Sequence, residues 1–287
     1  MRTVLGMKAG KGKATRTTRG NHKVDSKRKK ERWRRRRCLG TVPLLYVAAK
    51  LPPPAEGYLV DQDVAEAVYE TGSGSCVAVL IEERKGKETV IDGVGSGIVW
   101  DQAGHVVTNY HVVEKVVQDT TGNQRVKVSL PGTSTSQVQD QVDAQVVGTK
   151  RSLDVALLKV DLEPSSLNAV RIGTARDLRV GQWAFAIGNP YGLSNTLTCG
   201  IISGLNRSFP SPNGMQITGA IQTDAAISRG NSGGALLNSS GILIGMNTAT
   251  YTRKDTGRSS GVNFAVPVDA VSEAVNAILA NGINKAN

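Results

Sequence analysis

The sequence predicts an all-β chain, a sandwich or a pair of barrels, closed by one helix. Three observations carry that prediction. About a dozen short β-rich segments follow one another, separated by Gly, Asn, Asp and Ser. A less regular stretch, DLEPSSLNAVRIGTA (161–175), divides them six and six. Only residues 268–282 combine helical spacing with a position after the last strand.

The elements run in this order. LPPPAEG (51–57) is a stiff boundary, and VDQDVAEAVYE (60–70) reads as a short helix. The first six strands are SCVAVLIE (75–82), SGIVW (96–100), HVVTNY (105–110), RVKVSL (125–130), AQVVGT (144–149) and DVALLKV (154–160). The second six are WAFAIG (183–188), NTLTCGIISGL (195–205), MQITGAIQT (215–223), ALLN (235–238), GILIGMNTAT (241–250) and GVNFAVPV (261–268). The closing helix places Val268, Val271, Ala274, Val275 and Ile278 on one face and ends at Asn281-Gly282. It is expected to pack on the second barrel, with no further domain after it.

Charge is unevenly spread. The chain of 287 residues has a formal net charge of +11, but residues 1–40 hold 16 of the 35 Lys and Arg and only two acids, Asp25 and Glu31. The remainder is slightly acidic, which argues against a nucleic-acid-binding body. KRKKERWRRRRC (27–38) followed by the short apolar run LGTVPLLYVAA (39–49) has the layout of an export signal with paired arginines. A basic arm for nucleic acid, or a misplaced start codon, are the competing readings. The apolar run is too short for a membrane-spanning helix and contains Pro43. Three cysteines make no disulfide framework, and Cys76 and Cys199 read as small buried hydrophobes. No Cys and His cluster has metal-ligand spacing, so neither a metal nor a cofactor is expected.

One constellation carries chemistry. RGNSGGALLN (229–238) crowds Gly230, Gly233 and Gly234 around Ser232. Of the three histidines, His22 lies in the basic leader and His105 reads as a turn residue, which leaves His111 in TNYHVV, at the end of a strand. Asp154 heads the apolar strand DVALLKV, where a carboxylate is costly to bury without a partner. Each residue alone has an ordinary structural explanation. Together they supply a nucleophile, a base and an orienting acid, with His111 and Asp154 from the first barrel and Ser232 from the second. The backbone N–H groups of Gly230, Asn231 and Ser232 are the candidate cradle for the oxyanion formed when a carbonyl is attacked.

These residues stand in longer matching stretches: GVGSGIVWDQAGHVVTNYHVV (93–113), SLDVALLKV (152–160), FAIGNPYGL (185–193), IQTDAAISRGNSGGALL (221–237) and SSGVNFAVPVD (259–269). Over about 65–280 the chain resembles the HtrA/Deg branch of the chymotrypsin-like serine proteases. NTLTCGIISGLNRSFPSPNGMQI (195–217) is similar to the plant chloroplast Deg proteases, in particular a thylakoid-lumen type without a PDZ domain. The resemblance implies two six-stranded antiparallel barrels of the trypsin-like kind with a C-terminal helix. The division expected is a leader and linker over 1–57, a first barrel over 58–162, a second barrel with its helix over 163–287, and no PDZ domain. It implies an ATP-independent endopeptidase with His111, Asp154 and Ser232 as triad, acting on unfolded or damaged proteins in photosystem II quality control. It also implies a homo-trimer or a hetero-hexamer with a PDZ-bearing Deg partner, in the chloroplast thylakoid lumen, with peripheral contact to the thylakoid membrane and no nucleic acid.

Ala226, Ile227, Asn247 and Asn263 are the expected specificity-pocket residues. With no acid among them, small aliphatic side chains fit better than Lys or Arg. Asn231 stands where many secreted relatives of this class carry an Asp that pairs with a newly cut N-terminus, so activation by that ion pair is not expected. Arg229 either influences the order of the neighbouring loop or is simply solvated. The reading set against the protease is a catalytically silent scaffolding or regulatory subunit of a Deg hetero-oligomer.

Overall fold

Twelve strands close into two barrels, as the strand count predicts. The computed structural model describes residues 61–130, 141–189, 195–228, 230–252 and 259–283. The basic leader and the proline-rich boundary lie outside the described residues. Helix α1 (Gln62–Ser73) comes first, with the Asp61 side chain accepting from Asp63 N–H at its N-terminus. The first barrel then takes β1 (Cys76–Lys85), β2 (Glu88–Val99), β3 (His105–Asn109), β4 (Gln124–Ser129), β5 (Gln141–Lys150) and β6 (Val155–Val160). Its strands close antiparallel in the order β1-β2-β3-β6-β5-β4. The second uses β7 (Trp183–Gly188), β8 (Thr196–Pro210), β9 (Gln216–Thr223), β10 (Ala235–Leu237), β11 (Leu243–Thr252) and β12 (Ser259–Pro267), in the order β10-β11-β12-β9-β8-β7.

Three cores explain the hydrophobic pattern. Val77, Val79, Ile81, Val106, Val126 and Leu158 fill the first barrel. Ala184, Ala186, Ile202, Leu236 and Ile244 fill the second. A third core joins the alternate residues of both: Cys76, Ile98, Val107 and Leu157 from the first barrel with Phe185, Ile187, Leu237 and Met246 from the second. Strands such as β1 and β6 are therefore buried on both faces, and this is why they read as continuous apolar runs rather than as alternation.

Two local expectations change. Residues after Asn109 leave the strand and form a helix, α2 (Tyr110–Gln118), so His111 lies in a first helical turn rather than on a strand end. The apolar positions Val112, Val113 and Val116 repeat at helical spacing and pack against the first-barrel core. The closing helix α3 (Val268–Ile283) does not rest on the second barrel alone. Its Val271, Val275 and Ile278 share a core with Val155 and Leu157 of β6, and Ile278 lies over Gly148 of β5, where a side chain would collide with it.

Candidate active site

Strand β3 delivers its last residue, Asn109, fully buried beside β6. Asn109 Nδ2 donates to the Asp154 carbonyl at 2.9 Å, and Tyr110 N–H donates to the same carbonyl at 3.0 Å. Those bonds fix the first turn of α2 against Asp154. An N-terminal helical N–H has no partner within its own helix. That of His111 donates instead to Asp154 Oδ1 at 2.9 Å, while Nδ1 lies 2.7 Å from Oδ2. With the carboxylate as acceptor, the proton belongs on Nδ1, and Nε2 is left as the basic nitrogen.

Asp154 follows a 3-10 turn (Arg151–Leu153) in left-handed backbone conformation, φ 56° and ψ 40°. It is fully buried. A carboxylate in that position needs several donors. Besides the two from His111, Ser211 Oγ donates to Oδ2 at 2.5 Å and Asn213 Nδ2 donates to Oδ1 at 3.2 Å. Sequence reasoning missed both. Polar residues beside Pro and Gly ordinarily mark a turn at the surface, and only the fold places this run on an acid from the other barrel.

Ser232 sits on a loop pinned from across the barrel boundary. Ser96 of β2 donates its hydroxyl to the Gly230 carbonyl at 2.6 Å and its N–H to the Ser232 carbonyl at 2.9 Å. Gly233 N–H donates to Asn247 O at 2.7 Å. Glycine is required twice. Gly230 has φ 107°, and Gly233 has φ 85° with Ser96 O and Thr108 Oγ1 standing where a side chain would begin.

The N–H groups of Gly230 and Ser232 have no partner among the described residues, which leaves both free to serve as the candidate cradle donors. Asn231, expected as a third, is not one: its N–H donates to Ser228 O at 3.2 Å. Its side chain instead braces the preceding loop, accepting from Ser228 N–H at 2.9 Å and donating to Ala226 O at 3.2 Å. Arg229 lies outside the described residues. Ser232 Oγ donates to Thr248 O at 3.2 Å, and among the described residues it makes no hydrogen bond to His111.

A cavity of about 710 Å³ opens over these groups, lined by His111, Gly230, Ser232, Thr248 and Ile227. Of the four expected pocket residues only Ile227 lines it. Ala226 is exposed. Asn247 is buried and ties strands together, donating to Ile187 O at 3.2 Å and Ala235 O at 2.9 Å. Asn263 is likewise buried and donates to Ala225 O at 2.9 Å. The role of these two asparagines, satisfying backbone carbonyls, depends on tertiary contacts that the sequence does not display. Lys115 and Asp92 line the same cavity and were not anticipated; their ion pair, 2.5 Å long, holds the Asp92 carboxyl below its ordinary range.

The two described cysteines diverge. Cys76 is buried, as expected, and burial pushes its thiol up to about 12, leaving it unreactive. Cys199 is exposed on β8, contrary to the sequence reading. His105 begins β3 and pairs with Asp101 through Nδ1 at 2.7 Å.

Comparison with known proteins agrees with this fold. The trypsin-like peptidase domain matches residues 95–246. Protease Do-like 5, chloroplastic, of Arabidopsis thaliana is 52% identical over 213 residues, 74% of this chain and 64% of that protein. Protease Do-like 1, chloroplastic, of the same plant is 48% identical over 194 residues, 67% of this chain and 41% of that protein. The chain thus spans less than two thirds of the length of these relatives. The crystal structure of Deg5 superposes with a TM-score of 0.65 at 44% identity, covering 78% of this chain and 98% of that one.

Proposed function

Because the chain belongs to the HtrA/Deg family of trypsin-like serine proteases, we propose that it is an ATP-independent serine endopeptidase whose triad is His111, Asp154 and Ser232. The observation that carries this reading is convergence. A histidine oriented by a buried acid, a serine and two N–H groups without a partner among the described residues face one cavity, although they come from two barrels.

The chemistry follows from the positions. Ser232 Oγ attacks the peptide carbonyl carbon, and His111 Nε2 takes its proton. The carbonyl electron pair moves onto oxygen, where Gly230 and Ser232 N–H donate to it. Each such donor typically supplies roughly 3–4 kcal/mol of transition-state stabilisation. Collapse expels the amine, which receives the proton from His111, and water then releases the acyl group by the same steps in turn. Asp154 keeps its charge throughout and stabilises the imidazolium.

Finer points belong to the same proposal. We read residues 1–57 as leader and linker, 58–162 as the first barrel and 163–287 as the second with its helix. Substrates are unfolded or damaged proteins, entering with a small aliphatic side chain toward Ile227. The chloroplastic relatives support a place in the chloroplast. The arginine-paired leader supports delivery to the thylakoid lumen. Work in photosystem II quality control at the membrane periphery, and a homo-trimer or a hetero-hexamer with a PDZ-bearing Deg partner, rest on the family resemblance alone.

One observation favours a second reading. Ser232 Oγ is bonded to Thr248 O rather than to His111, and a silent scaffolding subunit would keep it there. A fluorophosphonate probe separates the two, applied to the chain alone and with a PDZ-bearing Deg partner, with Ser232→Ala as blank. Labelling of the chain alone is the expected result, together with loss of casein cleavage in Ser232→Ala. Labelling only with the partner places the switch in assembly. No Ser232-dependent labelling in either case assigns the scaffolding role.

A further inference from the structure

The donors to Asp154 divide in a pattern that the triad alone does not require. Each carboxylate oxygen accepts one hydrogen bond from His111 and one from the turn joining β8 to β9. Oδ1 takes His111 N–H and Asn213 Nδ2, and Oδ2 takes His111 Nδ1 and Ser211 Oγ. The terminal torsion of a carboxylate is broad and weakly restrained by itself. Two donors on each oxygen hold its plane.

The turn is built to stay in place. Ser211 N–H donates to Met215 O at 2.8 Å and Gly214 N–H donates to Ser211 O at 2.9 Å. Met215 N–H donates to Asn213 Oδ1 at 2.8 Å, which fixes the amide so that Nδ2 faces Asp154; Nδ2 also donates to Arg151 O at 2.9 Å. Pro212 restricts the backbone between the two donors. Gly214, at φ 81°, lets the chain reverse. Below the turn, Phe209 stacks on Phe264 with ring centroids 4.7 Å apart, and Ile217 is buried. Ser211 and Asn213 are themselves buried, 5% and 7% exposed, so water does not replace them easily.

We propose that Ser211 and Asn213 are positioning residues for the triad, a clamp from the second barrel that fixes Asp154 and through it the tautomer and orientation of His111. Pro210, Ser211 and Pro212 also line the substrate cavity, so the clamp is continuous with the wall a peptide touches. The inference deepens the protease reading and rests on it for its kinetic consequence, but its structural part stands on the four bonds alone.

The test uses the full chain with Ser211→Ala, Asn213→Ala, the double variant and Ser211→Thr. On a peptide substrate, kcat falls roughly tenfold in each alanine variant and roughly a hundredfold in the double, with KM within about twofold. Ser211→Thr keeps the hydroxyl and restores kcat. Proton and nitrogen NMR of the imidazoles supplies a readout independent of turnover, with the His105 signals assigned by His105→Gln. The low-field His111 Nδ1–H resonance moves and broadens in the alanine variants and returns in Ser211→Thr. An unmoved resonance overturns the proposal, whether kcat stays within twofold or falls together with the melting temperature. A wild-type chain that no fluorophosphonate labels, either alone or with a PDZ-bearing Deg partner, refutes the protease reading instead, and the NMR arm still decides the clamp.

Discussion

Two histidine–aspartate pairs stand at opposite ends of β3, and at close range they are nearly the same object. In each, the backbone N–H of the histidine donates to one carboxylate oxygen, at 3.1 Å for His105 and 2.9 Å for His111. In each, Nδ1 lies 2.7 Å from the other oxygen, and both histidine side chains are 17% exposed. The acids differ. Asp101 is four residues from its partner and its side chain is 37% exposed, whereas Asp154 comes from 43 residues away and is fully buried. Asp101 spends its remaining capacity on Ala103 N–H, closing a turn. Asp154 meets Ser211 and Asn213, and its histidine faces the serine loop. A paired imidazole is therefore a local motif that any turn can produce. The proposed catalytic one is completed only by the second barrel.

The largest test of that comparison exchanges the same atoms at both ends. Asp154→Asn should lower kcat about 10⁴-fold, because the amide favours the wrong tautomer of His111. Asp101→Asn should leave kcat within about twofold. Steady-state kinetics on a peptide substrate reads both. Comparable losses at the two positions, or a larger one at Asp101, would break the distinction.

A second test attacks the serine side. Gly233→Ala forces a side chain into left-handed backbone and against Ser96 O and Thr108 Oγ1. Strain and overpacking together should destabilise the chain by about 3 kcal/mol or more. The thermal midpoint should fall and fluorophosphonate labelling should be lost, while the His105 end of β3 keeps its NMR signals. Labelling at the wild-type level would mean that the serine loop is less constrained than its contacts with Ser96 indicate.

The same contrast explains what could be read from the sequence. The strands were legible because turn residues punctuate them, and the six-and-six division was legible at residues 161–175. The convergence of His111, Asp154 and Ser232, the proposed triad, was legible because these residue types are chemically specific and few histidines compete. The helix carrying His111 was hidden, since Thr108, Tyr110, Val112 and Val113 keep strand-favouring residue types past the end of β3. Ser211 and Asn213 were hidden more deeply. Polar residues around Pro and Gly ordinarily face water, and nothing local marks a turn that lies against a carboxylate 57 residues away. Asn247 and Asn263 failed in the opposite sense, as polar residues near the site that turn out to satisfy strand carbonyls.

Asp119 offers the smallest effect and the one with a pH signature. It follows α2 and ties a turn as Asp101 does. Its carboxylate accepts from Thr121 Oγ at 2.6 Å, Gln124 N–H at 2.7 Å and Thr121 N–H at 2.8 Å. Those bonds, the Thr121 hydroxyl foremost, hold its pKa at about 2. An unfolded aspartate titrates near 4. The folded state thus favours the ionised form, so the stabilisation is complete above about pH 4 and is lost as pH falls toward 2. Asp119→Asn should be slightly less stable than the wild type at pH 7, and the gap in denaturant midpoint should narrow steadily below pH 4. A gap that stays constant as far down as the wild type remains folded would mean that the side chain acts by shape alone. In that case the charge of a turn-closing acid on this segment counts for little, and burial against the second barrel is what separates Asp154 from its neighbours.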